Sequence, residues 1–148
     1  MKIIPAEKED IEALYAMQKL AFESEAAMIG SREVPALQET AAHFRGDFPH
    51  WITLKAVDES GALCGAIRFR KDGSLIDVGR LMVHPRCRRQ GLAKALLASV
   101  DKAFPSTVKE LYTCTKSWTN IRLYEAVGYH PTKTVTEESG LSFVYMRK

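Results

Sequence analysis

No apolar run in this 148-residue chain approaches the roughly 18 residues that a membrane span requires, which argues against a membrane protein. Cysteine is scarce. Cys64, Cys87 and Cys114 are odd in number, far apart, and form no C-x-x-C pair, which argues against a disulfide framework or a structural zinc site. His43, His50, His84 and His130 show no ligand-like spacing, so no metal is expected. The net charge is only +3, too small to make nucleic acid a bulk partner. Neither the G-x-x-x-x-G-K-[ST] pattern nor the G-x-G-x-x-G fingerprint occurs, which removes two common phosphate-binding architectures. There is no internal repeat, low-complexity tract or linker. The opening "MKIIPAEKED" is too polar for a signal peptide, and a cytoplasmic location is the expectation.

What the chain does contain is an ordinary 46% of hydrophobic residues in a length that suits one domain spanning residues 1–148. "KIIPA" reads as a short first strand. From Glu7 onward, Ile11, Leu14, Tyr15, Gln18 and Phe22 recur at the spacing of one helix face, with Gln18 as a polar exception. "AAMIGSREVP" is expected to be a loop and "ALQETAAHFRG" a second helix stopping near Gly46. "WITLKAVD" and "ALCGAIRFR" form a hairpin around "ESG", and "LIDVGRLMVH" follows as a longer strand.

A third helix carries Leu92, Leu96, Ser99, Val100 and Ala103 on one face and ends at Pro105. "KELYTCT" is a strand. "SWTNIRLYEAVG" is a helix with Ser117 at its N-cap and Gly128 at its stop. "YHPTKTVT" and "LSFVYMRK" close the chain as strands. The order predicts an α+β domain with a mainly antiparallel mixed sheet of about seven strands and about four helices.

One stretch concentrates the charge. In "LMVHPRCRRQGLAKALL" a strand breaks at His84-Pro85, arginines crowd around Cys87, and a helix starts after Gly91. Backbone N–H groups at such a helix start, together with its dipole, make an anion site. Arg86, Arg88, Arg89 and Lys94 add positive charge, and Gly91 permits close approach of the backbone. The expected ligand is a phosphate or pyrophosphate; a solvated basic turn that merely ends a strand is the plainer alternative. The flanking arginines are expected to lower the Cys87 thiol pKa, but a nucleophilic role would need a base nearby.

Val83-His84-Pro85 followed by Arg88-Arg89-Gln90-Gly91-Leu92-Ala93 resembles the pyrophosphate loop of GNAT-type N-acetyltransferases. "NIRLYEAVGY", which follows further along the chain in the expected order, resembles that family's Leu-Tyr-Glu helix. The resemblance implies acetyl-CoA as cosubstrate, with its pyrophosphate on the amides of Arg88, Arg89, Gln90, Gly91, Leu92, Ala93 and Lys94. It implies pantetheine lying along Met82 and Val83 as an added strand. It implies that Tyr124 protonates the leaving thiolate. A phenol of pKa about 10 can donate to a thiolate whose conjugate acid is near about 8.5.

Two departures from the family pattern stand out. Where the family places a carboxylate shortly before the position of Val83, this chain has Gly79 and Arg80. Asp77 is the nearest acid and the candidate base, and by period-2 alternation it shares a face with Gly79, Leu81 and Val83. The family's Asn, seven residues before the tyrosine, is matched by Ser117. Asn120 instead lies one turn before Tyr124, so Asn120 is expected to touch pantetheine, with Ser117 as cap.

The implied reaction moves an acetyl group directly to a primary amine, from a small molecule or a peptide, in a ternary complex without metal. A monomer or homodimer is expected. The segment from Phe22 to Phe44 is expected to shape the acceptor pocket, with Glu33 and Glu39 attracting a cationic amine and Phe22, Met28 and Ile29 forming an apolar wall. A non-catalytic acyl-CoA-binding domain and a nucleic-acid patch on "RCRRQGLAK" are the rival readings.

Overall fold

The computed structural model describes residues 1–148. Its elements in chain order are β1 (Lys2–Pro5), α1 (Ile11–Ile29), α2 (Pro35–Gln38), α3 (Ala41–Asp47), β2 (Ile52–Val57), β3 (Leu63–Asp72), β4 (Leu75–Val83), α4 (Leu92–Ala103), β5 (Lys109–Cys114), α5 (Trp118–Ala126), β6 (His130–Thr136) and β7 (Ser142–Arg147). The strands form one seven-stranded sheet in the order β1-β2-β3-β4-β5-β7-β6. Every neighbouring pair is antiparallel except β4–β5, so the expected α+β class and mainly antiparallel sheet hold. No helix is long and apolar enough to cross a membrane.

The helices number five rather than about four. "ALQETAAHFRG" breaks because Glu39 is extended and the Thr40 side chain caps a fresh helix, accepting the His43 N–H at 3.1 Å. Helix α1 runs on through "AAMI", expected to be loop, and stops only at Gly30, whose φ of 73° suits the left-handed cap. Its buried side is Ile11, Leu14, Met17, Gln18, Ala26 and Ile29.

Helix α4 buries Leu92, Leu96, Leu97 and Val100 against one sheet face, with Ile67, Phe69, Ile76, Val78 and Met146. Helices α1 and α3 cover the other face, where Ile11, Leu14, Met17 and Phe44 meet Ala66 and Met82. Gly65 makes the first packing possible: a Cβ there would stand 2.9 Å from the Met82 carbonyl and 3.1 Å from Leu92 Cδ2.

Two irregularities open the sheet. Strand β4 carries an extra residue opposite β3: Ala66 pairs with Met82, but Arg68 pairs with Gly79. Arg80 sits in this bulge at φ 46°. The extra residue reverses the alternation, which corrects the expected face-sharing. Asp77 and Gly79 stay on the α1 side, whereas Leu81 and Val83 pack toward the α4 core and Met82 toward α1. The second irregularity is that β4 and β5 pair only at Ile76–Lys109 and Asp77–Glu110. Beyond that point the strands diverge, leaving the edges of Val78–Val83 and Leu111–Cys114 without a partner across the gap.

Candidate active site

At the end of β4 the chain turns through Pro85–Cys87, with the Arg86 N–H donating to His84 Nδ1 at 3.2 Å. Its arginines divide the work. Arg86 is tied down, donating to the Leu63 carbonyl at 3.0 Å and to Asp58 at 3.3 Å. Arg88 reaches back to α1 and donates to Ser24 Oγ at 2.7 Å. Arg89 and Lys94 are exposed and take no partner within the protein. The backbone N–H groups from Arg88 to Lys94 donate to no protein acceptor; the first amide of this turn that does is Ala95, to Gly91. Arg89 and Gly91 hold φ values of 64° and 73°, curling these amides into one concave array at the start of α4.

Cys87 departs from expectation. Arg86 and Arg88 point away to Asp58 and Ser24, and the thiol is buried against Cys64. Burial first, then the Cys64 thiol, push its pKa up to about 11. All three cysteines are free.

Below the loop, a groove of about 380 Å³ runs between α1, the end of β4 and α5, past Met82, Val83, Arg88 and Ala93. A cleft of about 290 Å³ fills the gap between the diverging β4 and β5, walled by Trp51, Arg68, Arg70, Asp77, Arg80 and Tyr112 among others. Phe22, Glu25, Leu81, Asn120 and Tyr124 line both, so they mark the junction.

Tyr124 is buried in this junction, its ring in edge contact with Tyr129 at 6.0 Å. Its hydroxyl makes no hydrogen bond within the protein. Burial first, then the nearby Glu25 carboxylate and Tyr129, hold its pKa well above the tyrosine range, so it stays protonated. Glu25 accepts from Ser117 Oγ at 2.5 Å and from Thr113 Oγ1 at 3.5 Å. Ser117 occupies the N-cap position of α5 as expected and is fully buried, but its hydroxyl caps no backbone N–H and bonds to Glu25 instead. The Asn120 side chain is left free in the junction.

The predicted residues are thus only partly brought together. Met82, Val83, Arg88, Ala93, Asn120 and Tyr124 line one groove. Arg89, Gln90, Gly91 and Lys94 form the exposed turn above it, while Leu92 is anchored in the core. Asp77 lines the cleft but not the groove, 3.5 Å from Arg70 Nε, with its pKa raised by burial. Glu25 went unpredicted. Its signal is positional: like Gln18, it interrupts the inward face of α1.

The two acids expected to attract an amine line neither chamber. Glu33 is exposed and lines neither chamber. Glu39 is buried under α1, accepting from Gln18 at 2.8 Å and bonded to His43 at 2.6 Å, with Arg80 at 3.5 Å. Burial opposes its charge, but Gln18, His43 and the arginines outweigh it and hold the carboxyl below the usual range. Glu39, His43 and Asp47 bring ligand-type atoms within 4.8 Å of one another, a spacing of four that the sequence reading passes over. Both carboxylates already face arginines, Asp47 with Arg68 at 3.4 Å and Glu39 with Arg80 at 3.5 Å. Phe22 does form wall, in both chambers; Met28 lines the groove, and Ile29 is core.

The chain that carries this amide-lined turn, groove and split between β4 and β5 is similar to known proteins. A family model described as the acetyltransferase (GNAT) domain matches residues 19–148. The chain belongs to the GNAT acetyltransferase family.

Over 129 residues it is 29% identical to the UPF0157 protein YqkA of Bacillus subtilis (strain 168), a match covering 86% of this chain and 37% of that protein. The GNAT domain described here therefore spans well under half the length of that relative. The ribosomal-protein-S18-alanine N-acetyltransferase of Escherichia coli shares the fold at TM-score 0.78 and 16% identity, over 99% of this chain and 91% of that one. A GNAT superfamily phosphinothricin acetyltransferase (Pat) from Sinorhizobium meliloti, in complex with acetyl-CoA, does so at TM-score 0.77 and 15% identity, over 99% and 86%.

Proposed function

We propose that this chain transfers the acetyl group of acetyl-CoA to a primary amine by direct attack. The observation that carries the reading is the junction, where a protonated tyrosine and a carboxylate line both the groove below an amide-lined anion turn and a separate cleft. The residues present fit the cosubstrate. The unpaired amides of Arg88–Lys94 suit a pyrophosphate, with Arg89 and Lys94 as mobile countercharge. The free edge of β4 at Met82 and Val83 suits an amide-bearing arm that adds as a strand, and Asn120 can donate to it from α5.

Acetyl-CoA supplies the acyl group and a thiolate leaving group. The chain's own residues orient the partners and move the protons. The amine enters through the cleft and must lose a proton, because only the neutral form is a nucleophile. Glu25, at the junction, takes that proton; Asp77, deeper in the cleft with a raised pKa, is the second candidate acceptor. As the C–N bond forms and the C–S bond breaks, the Tyr124 hydroxyl donates to the departing sulfur.

Glu25 also answers the alternative of a non-catalytic acyl-CoA-binding domain, which draws its support from the missing carboxylate on β4. The carboxylate comes instead from α1. The test is thiol release from acetyl-CoA across an amine library, with products identified by mass. Amine-dependent release that vanishes in Gly91→Asp is expected. Calorimetric binding of acetyl-CoA without release for any amine would leave the binding domain standing, and no binding would sink both readings.

A further inference from the structure

We infer that the amine acetylated here carries an oxyanion, a carboxylate or phosphonate, and that Arg68 and Arg80 seat it in the cleft. The inference rests on the acetyl-transfer reading only in making the cleft the amine's chamber.

Both arginine side chains are largely buried, 12% and 17% exposed, yet neither is well paired. Arg68 Nη1 stands 3.4 Å from Asp47 and Arg80 Nη2 stands 3.5 Å from Glu39. The surface pairs Arg32–Glu23 and Arg147–Glu110 close to 2.6 and 2.8 Å. The two acceptors are also shared, Asp47 with Trp51 Nε1 at 3.1 Å and Glu39 with Gln18 and His43. Nε of both arginines is sealed from water without a partner. A buried guanidinium with unmet donors is costly unless a ligand completes it.

Arg68 is also braced. Arg68 and Arg70 pack against the Trp51 ring at 4.1 and 4.0 Å. Arg80 is projected into the cleft by a left-handed backbone that its side chain disfavours, a kind of strain that clusters at functional sites. Burial, and then the neighbouring Arg80 charge, pull the Arg68 pKa down to about 10, a repulsion that an incoming anion relieves. The cleft is therefore polarised. Away from the groove it is lined by Arg68, Arg70 and Arg80, with Asp47 and Asp77 already facing Arg68 and Arg70 at 3.4 and 3.5 Å, and Glu25 stands at the junction. An amine at Glu25 with an anion on Arg68 and Arg80 matches both ends, whereas a polycation meets like charge.

The experiment compares L-amino acids and aminoalkylphosphonates with their uncharged amides or esters, and with spermidine, as acceptors from acetyl-CoA. An anionic amine is expected to exceed its uncharged analogue about 10–100-fold in kcat/KM, the worth of one or two charged hydrogen bonds. That preference should collapse toward unity in Arg80→Gln and in Arg68→Lys, mainly through KM, with acetyl-CoA calorimetry confirming that both variants are folded. Equal or better use of the uncharged analogue or spermidine overturns the inference, as does a preference that survives both substitutions. If no amine releases thiol, the same pairs are titrated into CoA-loaded protein. Selective binding of the anionic member then upholds the anion seat while the transfer reading falls, and binding without selectivity, or none, overturns the seat as well.

Discussion

Replacing Gly65 with alanine puts one methyl group where three atoms already stand. Its Cβ lies 2.9 Å from the Met82 carbonyl oxygen, 3.1 Å from Leu92 Cδ2 and 3.3 Å from Leu96 Cδ1. The first is backbone of β4, and the two leucines are buried in the first turns of α4, 5% and 0% exposed. Neither side yields cheaply, so either the Met82 carbonyl or the start of α4 must shift. Overpacking of this kind costs about 1–3 kcal/mol. Alanine returns about 0.5–1 kcal/mol of backbone entropy in a strand. The net loss centres on about 1 kcal/mol, a fall in Tm of about 2–4 °C at this size. Because α4 carries the amides of Leu92–Lys94, acetyl-CoA affinity falls with it.

Gly91→Ala is the control. Nothing lies within 4 Å of its Cβ, and its φ is +73°, so its cost of about 1–2 kcal/mol is conformational and involves no clash. Urea denaturation of Gly65→Ala, Leu92→Ala and the double variant closes the cycle, with favourable coupling expected between the two positions. For Gly91→Ala with Leu92→Ala the coupling is expected to be small. A Gly65→Ala protein as stable as wild type, with unchanged acetyl-CoA affinity and no coupling to Leu92, would refute the packing argument.

Glu25→Gln is expected to lower kcat by the roughly 10²–10⁴-fold typical of a lost proton acceptor, while Asp77→Asn lowers it by less than about tenfold. The reverse order in steady-state kinetics would return the base to Asp77. Asp58 accepts from the Ser60 hydroxyl, the Ala62 and Ser60 N–H groups and Arg86, contacts that pull its pKa down to about 2. A depressed acid stabilises the fold fully above its unfolded pKa of about 3.9 and loses that contribution as pH falls through the folded value. Denaturation midpoints of wild type and Asp58→Asn should therefore differ by a constant above about pH 5 and converge between about pH 4 and about pH 2; a gap that persists at acid pH would contradict this.

The anion turn is legible in the sequence because everything it needs is contiguous. A strand end, a glycine and a helix start follow one another, and the unpaired donors of the turn are backbone N–H groups that any residue supplies. Tyr124 is legible for a similar reason, since it lies in a short helix with its own stop at Gly128. What escapes the one-dimensional pattern depends on partners far apart. The bulge at Arg80 adds a residue without altering the run of apolar positions, so period-2 alternation carries past it onto the wrong face. Glu25 looks like a surface acid unless α1 is known to continue to Ile29 and to meet Ser117, 92 residues later. Glu39 looks available until Gln18, His43 and Arg80 close on it. Cys87 looks activated by its neighbours, yet those arginines bond elsewhere and Cys64 arrives from β3.

Tyr124→Phe tests the central claim most directly. The substitution removes the hydroxyl at the junction and keeps the ring that packs on Tyr129. Because no protein hydrogen bond is lost, the fold is expected to survive. With an accepted amine in hand, kcat for wild type and variant is compared across pH, alongside acetyl-CoA affinity by calorimetry. The account predicts a kcat lower by about 10²–10⁴-fold with acetyl-CoA affinity little changed, since the Arg88–Lys94 amides and not the phenol hold the pyrophosphate. A folded variant with wild-type kcat would contradict it, leaving Tyr124 a core aromatic and the thiolate to be protonated by solvent.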